Sequence, residues 1–227
     1  MKNIFIIILF IGTLYSCSNM NDLHQPYLDR GEIIYTEKVD SLISFSGKNK
    51  IKLQWFLFSD ISISKARIFW NKRTDSLDVD ISVNSNIREE YSVVIDNLSE
   101  GSFSFEVFTL DDFGNRSIPV ERIGKSLGDV YQSSLVNRVI SSNILDANYI
   151  QFNMSSNIPE DYVYSEFEYY FNGEKQTTQL DISDLNSFKI AVTDIDLTKN
   201  ILFRSVYLPY GNAIDTFKTE FKEYIIN

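Results

Sequence analysis

The sequence predicts an all-β protein in which two β-sandwiches follow each other along the chain. Three observations carry this prediction: apolar and polar residues alternate over short runs, clusters of turn-forming residues separate the runs, and both halves of the chain show the pattern. The chain has 227 residues, of which 44% are hydrophobic, so it is long enough to bury two cores.

The N-terminus carries an export signal. Lys2 precedes an apolar run that is much shorter than the roughly 20 residues of a membrane-spanning helix. Residues 14–17 (Leu-Tyr-Ser-Cys) resemble the lipobox of bacterial lipoproteins, in which the Cys thiol receives a diacylglycerol and becomes the new N-terminus. Ser16 is the small residue that the peptidase needs, and Cys17 is the only cysteine. We therefore expect residues 1–17 to be a lipoprotein signal peptide with Cys17 as the lipid attachment site; the alternative is an ordinary secretory signal.

A polar segment follows the predicted lipid site. Residues 18–29 lack hydrophobic periodicity, so we interpret them as a flexible tether, and His24, the only histidine, lies within it. Loss of the signal peptide removes one charge, Lys2, which changes the net charge from −10 to −11. Such a chain is repelled by anionic membrane surfaces, so the lipid must provide the attachment.

The first sandwich is predicted over residues 30–122. Its runs place apolar side chains on one face at Ile51, Leu53, Trp55 and Leu57, at Ala66, Ile68 and Trp70, and at Phe103, Phe105 and Val107. This period of two is typical of strands with one buried face. Turn signals at 46–49, 71–75 and 111–115 separate these runs.

The second sandwich is predicted over residues 138–227. Its apolar positions include Ile150, Phe152 and Met154, then Phe167, Tyr169 and Phe171, then Phe188, Ile190 and Val192, and finally Ile201, Phe203 and Tyr207. Asn172-Gly173 is the strongest hairpin signal in the chain. Residues 207–212 (Tyr-Leu-Pro-Tyr-Gly-Asn) resemble residues 109–115 (Thr-Leu-Asp-Asp-Phe-Gly-Asn) with one residue deleted, which indicates an internal duplication.

Residues 123–137 are predicted to form the junction between the sandwiches. The segment from Gly124 to Gly128 interrupts the alternating pattern. We expect Asp129 to cap a short helix that continues through Leu135 to Arg138.

Two segments of the first half resemble fibronectin type III and immunoglobulin-like modules. Leu53-Gln54-Trp55 is similar to the strand that carries their core tryptophan, and residues 98–107 resemble the corner and strand before their last loop. Phe103 stands where these modules often carry a tyrosine, so the hydroxyl of a tyrosine corner is missing.

A second resemblance covers most of the mature chain. It is to a family of Bacteroidetes-type surface lipoproteins called domain of unknown function four-nine-nine-eight, and its features occur here at 31–35, 67–71, 100–103, 112–117, 128–131 and 135–138. The resemblance implies an outer-membrane location in the company of glycan-utilisation lipoproteins. It implies no catalytic residue.

The residue content argues against several classes of chemistry. With one His and one Cys, the chain leaves almost no room for Cys/His zinc sites, disulfide scaffolds, thiol redox couples or His-based catalysis. Residues 124–128 lack the ending of a phosphate-binding loop, and no motif selects a pair among the 31 acidic residues. An excess of 31 acidic over 21 basic residues argues against a nucleic-acid partner. We therefore predict no enzyme and no cofactor, with a hydrolase as the least favoured alternative.

Alternating acids are the candidate metal ligands. Asp78 and Asp80, and likewise Asp194 and Asp196, are predicted to share one strand face, and calcium takes roughly six to eight oxygen ligands. The alternative, that these acids lie on solvated strand faces, is favoured because no EF-hand spacing occurs. We therefore predict no metal site and keep the four residues as weak calcium candidates.

Aromatic residues make up 14% of the chain and are the candidate ligand-binding residues. Flat rings can stack on the apolar faces of sugars, and the candidates on outward faces or in loops are Phe56, Phe69, Phe113, Tyr170 and Tyr210, with Asn115 and Asn212 as polar neighbours. The alternative for each ring is packing in a core or at a loop base. Asp40-Ser41-Leu42 and Asp75-Ser76-Leu77 resemble O-glycosylation motifs of exported Bacteroidetes proteins.

These observations predict a non-catalytic envelope lipoprotein with two immunoglobulin or fibronectin III-like sandwiches. We expect it at the outer membrane, on the cell surface or the periplasmic face, attached through its lipid. The first hypothesis is a glycan-binding or accessory module beside a polysaccharide-uptake system. The alternative is a structural or adhesive spacer that binds another envelope protein.

Overall fold

The computed structural model describes residues 34–58, 62–82, 87–181 and 187–225. The predicted signal peptide, Cys17, the tether and His24 lie outside the described residues. Within these ranges the chain consists mainly of β-strands, and one short α-helix separates two groups of strands. None of the helices in these ranges is both long and apolar enough to cross a membrane.

The first group of strands forms two antiparallel sheets. The strands are β1 (Asp40–Gly47), β2 (Lys50–Leu57), β3 (Ile63–Trp70), β4 (Asp75–Asp80), β5 (Glu89–Ile95), β6 (Gly101–Asp111) and β7 (Val120–Ser126). One sheet has the order β1-β2-β5 and the other has the order β4-β3-β6-β7. This arrangement is a β-sandwich.

The core of the first sandwich follows from the period of two. Trp55 is fully buried on β2, and Ile68 and Phe105 are fully buried on the facing sheet. Each such side chain contributes about 1.5–3 kcal/mol through burial, so the alternating pattern selects which face of each strand turns inward. Trp70 and Phe103, which the sequence placed inside, are partly buried and pack against this core.

The second group of strands repeats this arrangement. The strands are β8 (Ile140–Leu145), β9 (Tyr149–Met154), β10 (Tyr162–Phe171), β11 (Glu174–Asp181), β12 (Ser187–Ala191), β13 (Ile201–Tyr207), β14 (Phe217–Lys218) and β15 (Lys222–Tyr224). One sheet has the order β12-β9-β8, and in the other β11-β10-β13-β14 is completed by β15, which also pairs with β13. In both sandwiches the first, second and fifth strands face the third, fourth, sixth and seventh. The seventh strand of the second sandwich is divided into β14 and β15.

The core of the second sandwich is rich in aromatic rings. Phe152, Phe167 and Phe203 are buried between its sheets, and Phe152 and Phe167 lie 5.6 Å apart between ring centroids. Asn172 and Gly173 form the predicted hairpin turn between β10 and β11, with φ values of 51° and 82°.

The junction differs from its prediction. β7 continues to Ser126 and so overlaps the start of the predicted junction. The helix α1 covers Asp129–Ser134 and ends there because Leu135 is extended, whereas the prediction continued it to Arg138. Asp129 is not the cap: Gly128 occupies the N-cap position, and the capping carboxylate comes from Glu100 in the loop between β5 and β6.

Candidate functional site

Phe56 and Phe69 lie on the outer faces of different sheets of the first sandwich, and arginine side chains lie against both rings. The guanidinium carbon of Arg88 lies 3.6 Å from the centroid of the Phe56 ring. Phe69 meets Phe108 edge to face at 6.0 Å, and the guanidinium of Arg73 lies 5.9 Å from the Phe69 centroid. These cation–π contacts cover ring surface that a sugar would need.

Phe113 is the most exposed large apolar side chain of the described residues. It is 90% exposed at the tip of the loop between β6 and β7. The carboxylate of Asp111 holds this loop, because it accepts hydrogen bonds from the backbone N–H of Phe113 at 3.0 Å and of Asn115 at 2.8 Å. The side-chain amide of Asn115 donates a third bond at 2.7 Å, and these bonds lower the pKa of Asp111. Asn115 is therefore a positioning residue of the loop.

Tyr210 and Asn212 occupy the equivalent loop of the second sandwich, between β13 and β14. Gly211 has φ of 67° there and Gly114 has φ of 86° in the first sandwich, so both loops use the glycine of the aromatic-Gly-Asn motif in the left-handed region. The predicted repeat thus falls in the same loop of two sandwiches of the same topology. Tyr210 is 56% exposed, and Asn212 is exposed.

The candidate aromatic residues do not form one site. Tyr170 lies near the C-terminal end of β10, at the opposite end of the sheet from the loop that carries Tyr210. Among the residues that the structure describes, no ring contact joins any two of the five candidates Phe56, Phe69, Phe113, Tyr170 and Tyr210. Their arrangement provides separate single rings.

The acidic candidates belong to two different segments: Asp78 and Asp80 share the exposed face of β4, and Asp194 and Asp196 follow β12. Asp78 makes a two-pronged ion pair with Arg67, at 2.6 and 2.7 Å, and these hydrogen bonds lower its pKa, while Asp80 is exposed two residues along β4. The prediction that Asp194 and Asp196 share a strand face is wrong. Asp194 ends a 3-10 turn, and Asp196 accepts hydrogen bonds from Thr198. Over the described ranges, no group of three or more His, Cys, Asp or Glu residues is placed to hold a metal.

Sequence reasoning missed the cap of α1. The carboxylate of Glu100 accepts the backbone N–H of Val130 at 2.9 Å and of Tyr131 at 2.7 Å. Gly128 allows this approach, because a Cβ there would lie 2.8 Å from a carboxylate oxygen of Glu100. Two motifs of the family resemblance, at 100–103 and 128–131, therefore meet in the fold.

The segment after α1 is fixed to the second sandwich. The side-chain oxygen of Asn137 accepts the backbone N–H of Ser205 at 2.8 Å and the hydroxyl of Thr219 at 2.6 Å. The guanidinium of Arg138, which is buried, donates to the carbonyl of Ser155 at 2.8 Å. Hence the motif at 135–138 anchors the junction.

The two sandwiches meet end to end. We call the end of each sandwich that carries the turn between its first and second strands the distal end, and the opposite end the proximal end. At the distal end of the first sandwich, the backbone N–H of Ile214 donates to the carbonyl of Ser46 at 2.8 Å. Asp215 accepts the backbone N–H of Lys48 at 2.8 Å and pairs with the ammonium of Lys50 at 3.1 Å. Both contacts come from the loop that follows Asn212.

Gly47 leaves room for this end-to-end contact. A Cβ at Gly47 would lie 2.7 Å from Cγ1 of Ile214, so any larger residue would displace the side chains of Ile214 and Asp215. Leu127, just before α1, is fully buried and exchanges backbone hydrogen bonds with the same turn, to Gly47 at 3.0 Å and from Asn49 at 2.7 Å.

A charged network covers the outer face of the second sandwich and was not predicted. Glu166 on β10 accepts hydrogen bonds from Arg204 at 2.6 Å and from Lys218 at 2.8 Å. Burial by itself would raise the pKa of Glu166, but the two cationic donors outweigh it and hold the pKa below its ordinary value. Arg204 in turn lies 4.2 Å from the centroid of the Phe221 ring.

A polar cleft of about 460 Å³ lies between α1 and the region of β14. Asp129, Gln132, Lys218 and Glu220 are among its lining residues, and none of the five candidate aromatic residues lines it. The ammonium of Lys218 is already paired with Glu166. Because none of the five candidate aromatic residues lines the cleft, it lacks the ring surface that stacks on sugars.

Among known proteins, similarity is found to solved structures at low sequence identity. No curated protein matches the chain. Among solved structures, the FN1-FN3 domains of chicken CNTN1 match at 10% identity and a TM-score of 0.41, over 86% of this chain and 69% of that one. A two fibronectin type III domain segment of chicken tenascin matches at 12% identity and a TM-score of 0.32, over 84% of this chain and 99% of that one.

A family model matches most of the chain. The match covers residues 17–217, and the family is described as a domain of unknown function. This match confirms the second resemblance that the sequence predicted. The chain belongs to the family of domain of unknown function four-nine-nine-eight (DUF4998).

Proposed function

We propose that the chain is a non-catalytic, lipid-anchored accessory module of the bacterial envelope, which holds an interaction surface away from the membrane. The observation that carries this proposal is the end-to-end contact of the two sandwiches. Asp215 contacts Lys48 and Lys50, and Ile214 packs against Gly47. These contacts fix the position of the second sandwich on the first. A spacer whose two sandwiches have a fixed relative position can present a surface at a fixed distance from the membrane.

The anchor in this proposal is Cys17. The family match begins at residue 17, where the mature chain starts if the lipobox is processed. Lipid chains add about 0.8 kcal/mol of membrane affinity per buried methylene, far more than a body of net charge −11 could supply. We propose an outer-membrane location, on the cell surface or the periplasmic face.

The geometry supports an adhesive or spacer role over glycan capture. The five candidate rings lie apart, and arginine side chains lie against two of them, Phe56 and Phe69. Phe113 alone presents an almost fully exposed ring. Affinity electrophoresis against a panel of polysaccharides tests this preference: we expect no retardation, and retardation that Phe113→Ala abolishes would restore the glycan hypothesis.

The anchor is tested by fractionation with metabolic fatty-acid labelling. We expect the wild-type chain to take up label and to enter the detergent-extracted membrane fraction. Cys17→Ala should take up no label and leave that fraction, while both sandwiches still fold because neither core contains a thiol. A wild-type chain without label, or a Cys17→Ala chain that remains lipidated, would contradict the anchor.

A further inference from the structure

The chain enters the first sandwich at its proximal end. The hydroxyl of Thr36 donates to the carbonyl of Thr109, near the end of β6, at 3.1 Å. The carboxylate of Glu37 accepts the backbone N–H of Phe58, just after β2, at 3.3 Å. Because β6 and β2 belong to different sheets, the entering segment crosses this end of the sandwich from one sheet to the other.

The two ends of the first sandwich differ in their exposed apolar surface. At the distal end, which the second sandwich covers, no large apolar side chain is exposed in the described turns and loops at 46–50, 71–74 and 96–100. Exposed clusters of apolar side chains mark surfaces that contact a partner or a membrane. At the proximal end, six large apolar side chains are at least 43% exposed: Ile34, Tyr35, Phe58, Ile87, Phe113 and Ile118.

Phe113 is the most prominent member of this proximal cluster and has no packing role. Its ring is 90% exposed, and none of the ring–ring or cation–π contacts found in the described ranges involves it. The three hydrogen bonds that Asp111 accepts fix the loop that carries the ring. The loop therefore holds Phe113 in solvent in a defined position.

The equivalent loop of the second sandwich shows what this position in the fold contacts. There the backbone N–H of Ile214 donates to the carbonyl of Ser46 at 2.8 Å, so the loop binds the module that precedes it in the chain. The first sandwich is preceded by residues 18–33, which join it to Cys17 and span at most about 60 Å. By the same relation, the loop of Phe113 points towards the proposed lipid anchor.

The charged groups beside the proximal cluster are balanced. Asp40 pairs with Arg88 at 3.0 Å, and the carboxylate of Asp111 is used by its own loop. The same loop exposes one further acid, Asp112, and one base, Arg116. Apolar insertion therefore has to provide any membrane contact, and lipids without net charge suit it because a chain of net charge −11 is repelled by anionic ones.

We propose that the proximal end of the first sandwich rests on the bilayer that holds the Cys17 lipid, with Phe113 and Tyr35 inserted among the lipid headgroups. Aromatic side chains favour this interfacial layer, and the tether keeps the ring close to it, so that a weak contact suffices. This inference rests on the proposed function, because it needs the lipid anchor. It makes the second sandwich the part of the molecule that is held away from the membrane.

The test is a depth measurement on the lipidated full chain in vesicles of phosphatidylcholine and phosphatidylethanolamine. Cys17 is the only cysteine and carries the lipid, so one introduced cysteine is the only free thiol and accepts a nitrobenzoxadiazole label. Phe113→Cys places the label at the proximal end, and Leu145→Cys, which is 50% exposed at the distal end of the second sandwich, is the control. Lipids with a nitroxide near the top of the acyl chain should quench the label at 113 at least about twofold more than at 145. Salt at about 1 M should not change this difference, because the contact is apolar.

A second label position tests the ring itself. With the label at Ile118→Cys, the substitution Phe113→Ser should lower the quenching at least about twofold, because the loop then lacks its apolar tip. Tyr210→Ser, in the equivalent loop of the second sandwich, is the matched control and should leave the quenching unchanged. Both substituted side chains are more than half exposed, so both variants should fold.

Four results would overturn the inference. These are equal quenching at 113 and 145, quenching that salt abolishes, no effect of Phe113→Ser, and a blue-shifted emission at 113 without nitroxide quenching, which would mean that the loop packs against protein. Fatty-acid labelling of the same preparation separates the two proposals. A labelled chain that is not quenched at 113 overturns the membrane contact alone, whereas an unlabelled chain that does not float with the vesicles overturns the anchor and the contact with it.

Discussion

The two sandwiches share one topology but use the loop between the sixth and seventh strands in opposite ways. In the first sandwich this loop is closed on itself by Asp111 and projects Phe113 into solvent. In the second it continues past Asn212 to Ile214 and Asp215, which bind the first sandwich. The shared aromatic-Gly-Asn motif therefore sets the turn, and the residues after it decide what the loop contacts.

The cores of the two sandwiches can be alike while the ends of the sandwiches differ. Each core is determined by alternation along its own strands, which does not depend on the neighbouring sandwich. Each end depends on the module that precedes or follows it. Accordingly, the hydrogen bonds of Glu100, Asn137 and Asp215 join separate segments of the chain near the junction.

The largest expected effect comes from emptying one core at a time. Trp55→Ala in the first sandwich and Phe152→Ala in the second should each lower the free energy of unfolding by about 3–5 kcal/mol, because both side chains are fully buried. Chemical denaturation followed by hydrogen exchange would assign the loss to one sandwich. If each variant lowered the protection of both sandwiches equally, the two would form a single cooperative unit, and our separation of them would be wrong.

Removal of the cap of α1 should have a smaller effect that is confined to the junction. Glu100→Ala leaves the N–H groups of Val130 and Tyr131 without their carboxylate, which we expect to cost about 1–2 kcal/mol. Hydrogen exchange of these two amides measures the loss. Glu121→Ala, on the exposed side of β7, is the matched control and should leave both amides protected.

Acid should weaken the second sandwich through Glu166. The lowered pKa means that the folded chain binds this proton less readily than the unfolded chain, so the stabilisation is complete above the ordinary value of 4.5 and is lost as the pH falls through the lowered value. Urea midpoints measured at successive pH values below 4.5 should therefore fall less steeply for Glu166→Gln than for the wild type. Identical slopes would mean that Arg204 and Lys218 do not stabilise the carboxylate.

The smallest expected change in stability comes from Asp215→Ala. Its ion pair with Lys50 is partly solvent-exposed, and such pairs contribute at most about 1 kcal/mol. Denaturation should hardly register the substitution. Small-angle scattering should detect it, as a wider range of particle dimensions, because the seat between the sandwiches is loosened; Asp80→Ala on β4 is a control that should leave the dimensions unchanged.

The strands were predictable because burial imposes a period of two, and the hairpin at Asn172-Gly173 because its turn needs two residues with positive φ. The cap of α1 was not predictable, because Glu100 lies about thirty residues before the amides that it binds. Asp194 was misplaced for a local reason: the strand of Ile190 ends at Ala191, and a 3-10 turn follows.

Among the candidate residues, only the exposure of a side chain that lies in a loop was predictable from the sequence. Phe113 was correctly expected in a loop, since turn residues surround it. The coverage of Phe56 depends on Arg88, which precedes the neighbouring strand β5 and needs the strand register to be placed, whereas Arg73 reaches Phe69 from the turn directly after β3. The contact of Asp215 with Lys48 and Lys50 joins residues more than 160 positions apart, which no local pattern signals.

The loop after Asn212 fixes the position of the second sandwich on the first, and the distance between a pair of spin labels measures this directly. Cys17 is the only cysteine, so a Cys17→Ala chain accepts labels at Ser104→Cys on β6 and Thr177→Cys on β11, both exposed positions. We expect a single narrow distance distribution by double electron–electron resonance, which broadens when Asp215→Ala and Ile214→Ser are added. A broad distribution in the chain with an intact loop, unchanged by these two substitutions, would mean that the loop does not fix the second sandwich on the first.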